Sequence, residues 1–358
     1  MVYRRSTTFP SVSSRTGLAA LFSAATSAAA VAAAAPYAVV GRMSGPDGGW
    51  DYASVDSLGR RLFIARDDAI SVVDLAGGAI SQLAPARGAH AVFAIAGASL
   101  LLETDGDTSS VRLLDSHTGA ERARIPVAEG PDAAIYDARA HVAYVVSGDA
   151  GVVSIIDPAK AALTRTITLA PGLEFAAVDA AGRLFVNNAD RNEIETVDPH
   201  SGRVGKPIPL PGCVHPSGLA YAWRIDRLIA ACGNGVAAVV DPVRRRLVER
   251  VDIGRGPDAV MVDEARSLAY IPCGESGVLD VLRLDRSRPI TRTARIATER
   301  GARTGALDPA TGRIYLPTGR YQPLQPGERW PRVVAGSFAV LTVARTAPPP
   351  IPASHPPR

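Results

Sequence analysis

Lysine is almost absent from this chain of 358 residues, and aromatic side chains make up only 5% of it. Lys160 and Lys206 are the only lysines, so the positive charge is nearly all arginine. The arginines are scattered, and no basic run is longer than residues 244–246. Because a nucleic-acid surface needs clustered positive charge, the net charge of +4 does not predict nucleic acid as a partner.

Cysteine is scarce as well, and sustained helical periodicity is missing after the first 35 residues. Three cysteines allow one disulfide at most, and no CxxC pair offers a structural zinc site. The chain contains 33 glycines and 28 prolines, which punctuate it at regular intervals. This pattern favours many short strands over long helices.

Residues 1–35 have the pattern of a secretory signal peptide. Arg4, Arg5 and Arg15 lie in a polar start, residues 17–31 are Ala-rich and uncharged, and a run of small residues ends at Ala35. This order predicts cleavage near Ala35 and a periplasmic or secreted protein. An uncleaved anchor is the alternative, but the apolar run is short and alanine is weakly hydrophobic for a span. No membrane span is expected after cleavage.

A repeat of about 42 residues follows the leader. Six aspartates each close an apolar run, at spacings of 41, 42, 41, 43 and 44 residues: Asp74, Asp115, Asp157, Asp198, Asp241 and Asp285. Each period contains four short strand patterns separated by turn residues, which is the signature of a propeller blade. A seventh apolar run, residues 338–343, comes after an insertion, residues 319–336.

The ring needs a closing strand, because a Pro-rich tail follows the last apolar run. Residues 37–41 form an orphan strand that can supply the outer strand of the last blade, which would remove the open edges. We therefore predict an all-β protein: a seven-bladed β-propeller with four-stranded blades, closed by an N-terminal strand in the last blade. The propeller spans residues 36–345, and residues 346–358 form the tail. Six or eight blades are the alternatives.

The repeat resembles that of the YncE-like, YVTN-repeat β-propellers, which belong to the WD40-like superfamily. Degraded forms of the namesake tetrapeptide occur at residues 144–147, 185–188, 270–273 and 315–318, and residues 125–133 and 253–260 resemble the link between blades. The resemblance covers roughly residues 37–345. It implies an exported bacterial propeller and carries no general catalytic motif. Related propellers include amine dehydrogenase subunits, haem d1 domains and lactonases.

Candidate binding residues lie on the propeller face that carries two sets of loops around the channel mouth. These are the loops entering the innermost strands and those joining second to third strands. The entry loops place residues at equivalent points of successive blades: Asp51, His90, Asp132, Glu174, His215, Asp258 and Arg303. The insertion adds Tyr321 and Trp330, and we expect it to fold over the same face. It would act either as a recognition loop or as a lid that seals the junction between the first and last blades.

Two functions are compatible with this face. The first is an exported binding or interaction scaffold, a monomer with no assigned catalysis or cofactor, whose partner is a protein or a small molecule. The alternative is a lactonase-like hydrolase or an oxidoreductase-associated propeller with a cation such as Ca²⁺ at the channel mouth. Carboxylate and amide oxygens suit such an ion, and the candidate ligands are Glu174, Asn188, Asp132 and Asp258.

The cysteines are placed by the repeat. Cys232 and Cys273 end second strands in adjacent blades, and packed sheets lie about 10 Å apart, which is too far for a bridge. Cys213 lies in the entry loop of the same unit as Cys232. If a disulfide forms, Cys213 and Cys232 are the expected pair.

Overall fold

The computed structural model describes residues 37–325 and 332–346. These residues form 29 strands in seven antiparallel sheets and contain no helix. This confirms the predicted all-β, seven-bladed propeller. We number the blades one to seven in the chain order of their innermost strands.

The strands fall into four concentric sets. The innermost strands are β2 (Trp50–Asp56), β6 (Ala89–Ala94), β10 (Pro131–Asp137), β14 (Leu173–Val178), β19 (Pro216–Ala222), β23 (Met261–Asp263) and β27 (Ala306–Asp308). The second strands are β3 (Arg61–Arg66), β7 (Leu100–Asp105), β11 (Val142–Ser147), β15 (Leu184–Asn188), β20 (Arg227–Cys232), β24 (Leu268–Cys273) and β28 (Arg313–Thr318).

The third and outermost strands complete each blade. The third strands are β4 (Ala69–Asp74), β8 (Ser110–Asp115), β12 (Val152–Asp157), β16 (Glu193–Asp198), β21 (Val236–Asp241), β25 (Val278–Arg283) and β29 (Ala339–Arg345). The outermost strands are β5 (Ile80–Pro85), β9 (Glu121–Pro126), β13 (Ala162–Thr168), β22 (Arg246–Asp252), β26 (Thr291–Ala297) and, in blade seven, β1 (Tyr37–Ser44). In blade four this position is shared by β17 (Arg203–Val204) and β18 (Ile208–Pro209).

The core lies between neighbouring blades. Second and third strands are buried along nearly their whole length, whereas the outermost strands are largely exposed. Strands buried on both faces read as continuous runs of Val, Ile, Leu and Ala, which is why a chain so poor in aromatics still forms a core. The repeated aspartates end the third strands and cap the turns that follow. The side chain of Asp115, for example, accepts the backbone N–H groups of His117 and Thr118.

The N-terminal strand closes the ring as predicted. Strand β1 pairs antiparallel with β29 from Tyr37 opposite Arg345 to Ser44 opposite Ala339. At the start of β1, the Tyr37 hydroxyl lies 2.8 Å from that of Tyr270 in blade six. The closing strand is three residues longer than the sequence pattern suggested, because residues 42–44 continue the pairing with β29.

A buried arginine joins the closing strand to blade one. The side chain of Arg66 is almost fully buried, and its Nε and Nη2 donate to the carbonyls of Pro46, Gly48 and Gly49 at 2.6–3.0 Å. These residues form the loop between β1 and β2. The guanidinium also lies 3.6 Å above the ring of Phe338. Arg66 therefore fastens the loop between β1 and β2 to blade one and to Phe338.

A disulfide joins Cys213 to Cys232, across 19 residues of sequence, and Cys273 is a buried free thiol. The bridge ties the entry loop of blade five to the end of β20. Within residues 37–325 and 332–346, no helix is long and apolar enough to cross a membrane.

Candidate functional site at the channel mouth

A β-bulge recurs where the innermost strand begins. In blade one, Trp50 pairs with Arg66 but Ala53 pairs with Ile64, so the inner strand has one residue more than its partner. Blades two to five show the same shift. Because a bulge re-aims the side chains beside it, the residue that follows the first pair leaves the regular alternation of the strand.

Seven side chains follow from this geometry, one per blade, and we call them the mouth ring. In blades six and seven the corresponding residues lie three positions before the first paired residue of β23 and β27. The mouth ring consists of Asp51, His90, Asp132, Glu174, Ser217, Asp258 and Arg303.

One part of the mouth ring is a histidine between two carboxylates. His90 Nδ1 lies 2.8 Å from Asp51 Oδ2 and 3.4 Å from Asp132 Oδ1. One ligand atom from each of these three residues can lie within 4.8 Å of the others, which is a spacing that a metal ion can bridge. Burial alone would lower the pKa of His90, but the hydrogen bond to Asp51 and the charge of Asp132 outweigh it and raise the pKa to about 9.

A guanidinium continues the ring in blade seven. Arg303 Nε donates to Asp258 Oδ2 at 3.0 Å, and its Nη2 lies 3.9 Å from Asp51 Oδ1. Nη1 donates to the Tyr321 hydroxyl at 2.6 Å. Burial alone would lower the pKa of Arg303, but Asp51 and Asp258 together raise it. The group therefore remains a cation among the ring carboxylates.

A hydroxyl completes the chain of contacts in blade five. Ser217 Oγ bonds the carboxylate of Asp258 and lies 3.4 Å from Glu174 Oε2. The ring residues are therefore in contact one after another, in the order Asp132, His90, Asp51, Arg303, Asp258, Ser217 and Glu174. Among the described residues, no hydrogen bond or ion pair joins Asp132 to Glu174, which leaves these two carboxylates at the break in the ring.

The two carboxylates at the break have the most perturbed acidity. Burial and the nearby negative charge of Asp51 raise the pKa of Asp132 to about 7. Burial and the charges of Asp258 and Asp132 raise the pKa of Glu174 to about 9. Raised carboxylate pKa values mean that negative charge is crowded and poorly solvated here. A bound cation would relieve both effects.

Two aromatic rings close the channel beneath the mouth ring. Tyr52 in blade one and Phe175 in blade four follow directly after Asp51 and Glu174, and their ring centroids lie 4.9 Å apart. Blades one and four are on opposite sides of a seven-bladed ring, so this contact crosses the channel. Burial and the four ring carboxylates raise the pKa of the Tyr52 hydroxyl well above its usual value. The mouth is therefore an acidic basin with a floor, rather than the end of an open pore.

The structure places six of the seven predicted entry-loop residues in the mouth ring, but not His215. Ser217 occupies the blade-five position, and His215 lies two residues earlier with its side chain exposed. His215 has a φ of 55° and stands where five of the other six blades have a left-handed glycine, such as Gly130 and Gly256. A left-handed residue turns the chain before the strand begins, so its side chain is directed away from the ring.

Asn188 also lies outside the basin. Its Nδ2 donates to the carbonyls of Ala170 and Pro171, and its Oδ1 accepts the backbone N–H of Arg191. These bonds tie the Asn188 amide to the loops of blade four instead of the mouth ring. The metal set predicted from the sequence is thus not brought together as a unit: Asp132, Glu174 and Asp258 belong to the mouth ring, while the group of closest spacing is Asp51, His90 and Asp132.

The described part of the insertion lies beside the ring. Tyr321 stacks on Trp50, with centroids 5.3 Å apart, and pairs with Val333 across the base of the insertion. Trp330 lies outside the described residues. Next to Tyr321, between blades six and seven, a cleft of about 730 Å³ opens on the same face, and Arg303 lines both this cleft and the ring.

Sequence reasoning missed Ser217, Tyr52 and Phe175. Ser217 could have been found by counting one residue past Pro216, since Asp132 follows Pro131 and Asp258 follows Pro257 in the same way. Tyr52 and Phe175 carry no comparable signal. Their contact joins blades that are 123 residues apart in sequence and depends on the diameter of the closed ring.

Comparisons with known proteins identify the fold. No protein-family profile matches the chain, and no curated protein sequence matches it. Many solved structures do. The WD40 repeats of RRP9 align with a TM-score of 0.73 and 10% identity over 86% of this chain and 99% of that one.

Two further structures agree. A chain of the mitotic checkpoint complex aligns with a TM-score of 0.70 and 14% identity over 93% of this chain and 99% of that one. A chain of Kuenenia stuttgartiensis hydrazine synthase gives 0.65 and 16% over 76% and 94%. At these identities the likeness concerns the fold alone. The protein is a seven-bladed β-propeller, and its fold is similar to that of WD40 repeats.

Proposed function

We propose that this protein is an exported binding propeller of the YncE-like kind, which captures a ligand bearing a positively charged group in the mouth ring. The YVTN-like tetrapeptides and the leader pattern support the family and the export. The wide use of WD40-like propellers as scaffolds agrees with a binding role, although fold alone does not assign one.

The acidic basin is the observation that carries this proposal. Four carboxylates share the mouth ring with a single guanidinium and a single imidazole, and burial and neighbouring negative charge raise the pKa of Asp132 and Glu174. Such an arrangement costs folding stability, because like charges are held close in a poorly solvated place. Natural proteins retain costs of this kind where function requires them. The group that offsets the cost is a cation.

Titration with an organic cation tests the proposal. Spermidine is a suitable probe, measured by isothermal calorimetry on the propeller and on Asp132→Asn. The exposed Glu129→Gln is the control, since it removes the same charge from an entry loop outside the ring. We expect saturable binding that weakens about tenfold in Asp132→Asn and is unchanged in Glu129→Gln. Equal binding by all three proteins, or none by any, contradicts the proposal.

A pH series sharpens this test. At pH 6 both carboxylates at the break hold protons for part or all of the time, and a cation must displace them. Affinity should therefore rise from pH 6 to pH 8, with protons released to the buffer. Two buffers of different ionisation enthalpy measure that release. An affinity that falls over the same range would mean that the cation does not bind at Asp132 and Glu174.

A second candidate is the metal-dependent, lactonase-like hydrolase or oxidoreductase-associated propeller, and the Asp51–His90–Asp132 group favours it. Two carboxylates and an imidazole within 4.8 Å suit Mn²⁺ or Zn²⁺ better than Ca²⁺, because Ca²⁺ prefers oxygen ligands alone. Elemental analysis and thermal shifts with Mn²⁺, Zn²⁺ and Ca²⁺ test it. A stoichiometric metal that is lost in His90→Asn supports this candidate, whereas no shift with any of the three ions excludes it.

A further inference from the structure

The cleft between blades six and seven has the opposite charge character to the mouth ring beside it. It has a volume of about 730 Å³ and opens on the loop-rich face. Its lining includes three arginines from the entry loops of blades six and seven, Arg255, Arg300 and Arg303, together with Glu275, Ser276 and Tyr321. Neither Arg255 nor Arg300 belongs to the mouth ring.

Arg255 and Arg300 occupy the same loop position in consecutive blades. Each stands three residues before its mouth-ring residue, and each is followed by a left-handed glycine, with φ of 64° at Gly256 and 97° at Gly301. Equivalent positions in adjacent blades lie side by side around the propeller, which explains how two guanidinium groups come to line one cleft. Arg87 in blade two holds the same position but does not line this cleft.

Two of the three guanidinium groups in the cleft have weak partners or none among the described residues. The side chain of Arg300 has no hydrogen-bond or ion-pair partner among the residues that the structure describes. Arg255 pairs with Glu275 at 3.3 Å, but both side chains are about two-thirds exposed, and such pairs contribute little. Arg303 is committed to Asp258 and Tyr321. The cleft thus offers two available guanidinium groups against one carboxylate.

We propose that this cleft is a binding site for an oxyanion, a phosphate or a carboxylate group, held by Arg300 and Arg255. Guanidinium groups present paired N–H donors that match the oxygens of either group. The hydroxyl of Ser276 is engaged by the backbone N–H of Arg255, so it fixes that loop beside the anion. The site goes beyond the proposed function, because it lies outside the mouth ring and does not require the ring to be filled.

Calorimetric titration of the whole protein with inorganic phosphate, and separately with succinate, tests the site. Sodium chloride keeps the ionic strength constant in both series. The variants are Arg300→Ala and Arg255→Ala, and Arg87→Ala is the matched control at the same loop position in another blade. We expect one saturable site whose affinity falls about tenfold in each cleft variant and is unchanged in Arg87→Ala. The two probes distinguish a phosphate site from a carboxylate site.

The outcomes separate cleanly. Equal affinities in wild type, Arg300→Ala and Arg87→Ala would mean general attraction to a basic surface and would overturn the proposal. The absence of saturable binding by both probes would overturn it as well. Asp132→Asn provides the link to the ring: it should leave phosphate binding intact while weakening spermidine. Failure of the cleft and failure of the mouth ring are therefore seen in different titrations.

Discussion

At the scale of single residues, the main feature is the carboxyl group of Glu174, whose pKa the fold raises to about 9. Glu174 follows the same bulge as the other ring carboxylates, and among the described residues its side chain has one hydrogen-bond partner, the Ser217 hydroxyl. Its neighbour at the break, Asp132, forms one ion pair within the described part of the chain, with His90. The two residues explain why the basin stores unfavourable electrostatic energy and where a cation would release it.

The first prediction concerns Glu174 and pH. Its pKa is about 9 in the folded protein against an ordinary 4.5, so the folded state holds the proton more strongly than the unfolded state. Stability from this group is complete below about pH 4.5 and is lost as the pH rises toward 9. Glu174→Gln should therefore be more stable than wild type by roughly 1–2 kcal/mol at pH 8 and nearly equal at pH 5.

Urea unfolding from pH 5 to pH 9 measures this difference. Asp132 and His90, whose pKa values are raised to about 7 and 9, act in the same direction, so wild type should lose stability over the whole range. Glu129→Gln should follow wild type. A Glu174→Gln protein that is less stable than wild type at pH 8 would show that the carboxyl makes a stabilising contact instead.

At the scale of strands, ring closure depends on one short element. Strand β1 provides the outer edge of blade seven through a ladder with β29 that runs from Tyr37 to Ser44 with one bulge near Val40. Its side chains add two contacts outside that blade: the Tyr37–Tyr270 hydroxyl pair and the ion pair of Arg42 with Glu299 at 2.9 Å. Arg66 then fixes the loop that leads into blade one. The strand therefore links blades six, seven and one.

The second prediction is that a chain beginning at Gly45 is markedly less stable than one beginning at Tyr37. The truncated protein exposes one whole edge of β29 and loses the contacts of β1, and an open edge also favours aggregation. Thermal unfolding and light scattering compare the two chains. A synthetic peptide of residues 37–44 should restore part of the lost stability when added in excess. Equal melting temperatures for the two chains would refute closure by β1.

At the scale of the whole molecule, the two faces differ in kind. One carries the acidic basin, the arginine cleft and the insertion, and the other carries the aspartate-capped turns. The disulfide lies in the entry-loop region of the loop-rich face, where it ties Cys213 to the end of β20. Disulfides persist in oxidising compartments, so this bridge agrees with the proposed export.

The third prediction concerns this bridge. It closes a loop across 19 residues, and a loop of this size is worth roughly 3 kcal/mol when the cross-link restricts the unfolded chain. Reducing agent should lower the urea midpoint of wild type. The Cys213→Ser/Cys232→Ser double variant should start at the lower midpoint and not respond. If the midpoint of wild type is the same with and without reductant, the bridge does not stabilise the propeller.

The architecture could be predicted from the repeat alone, because the contacts within a propeller blade are local in sequence. Each blade is built from neighbouring strands and a capping aspartate, so a period near 42 residues sufficed to predict the blades. The orphan strand at Tyr37 and the missing strand after β29 sufficed to predict the closure. Six of the seven mouth-ring residues were also found in this way, since equivalent loop positions repeat with the blades.

The properties of the channel mouth depend on the closed ring and could not be predicted from the repeat. The bulge after Pro216 places Ser217 in the mouth ring, and the left-handed turn at His215 leaves that residue outside it. The Tyr52–Phe175 contact closes the channel only when seven blades form a ring of fixed diameter. The raised pKa values of Asp132 and Glu174 come from burial and from charges on other blades. Such effects depend on distances across the ring, which a linear repeat does not encode.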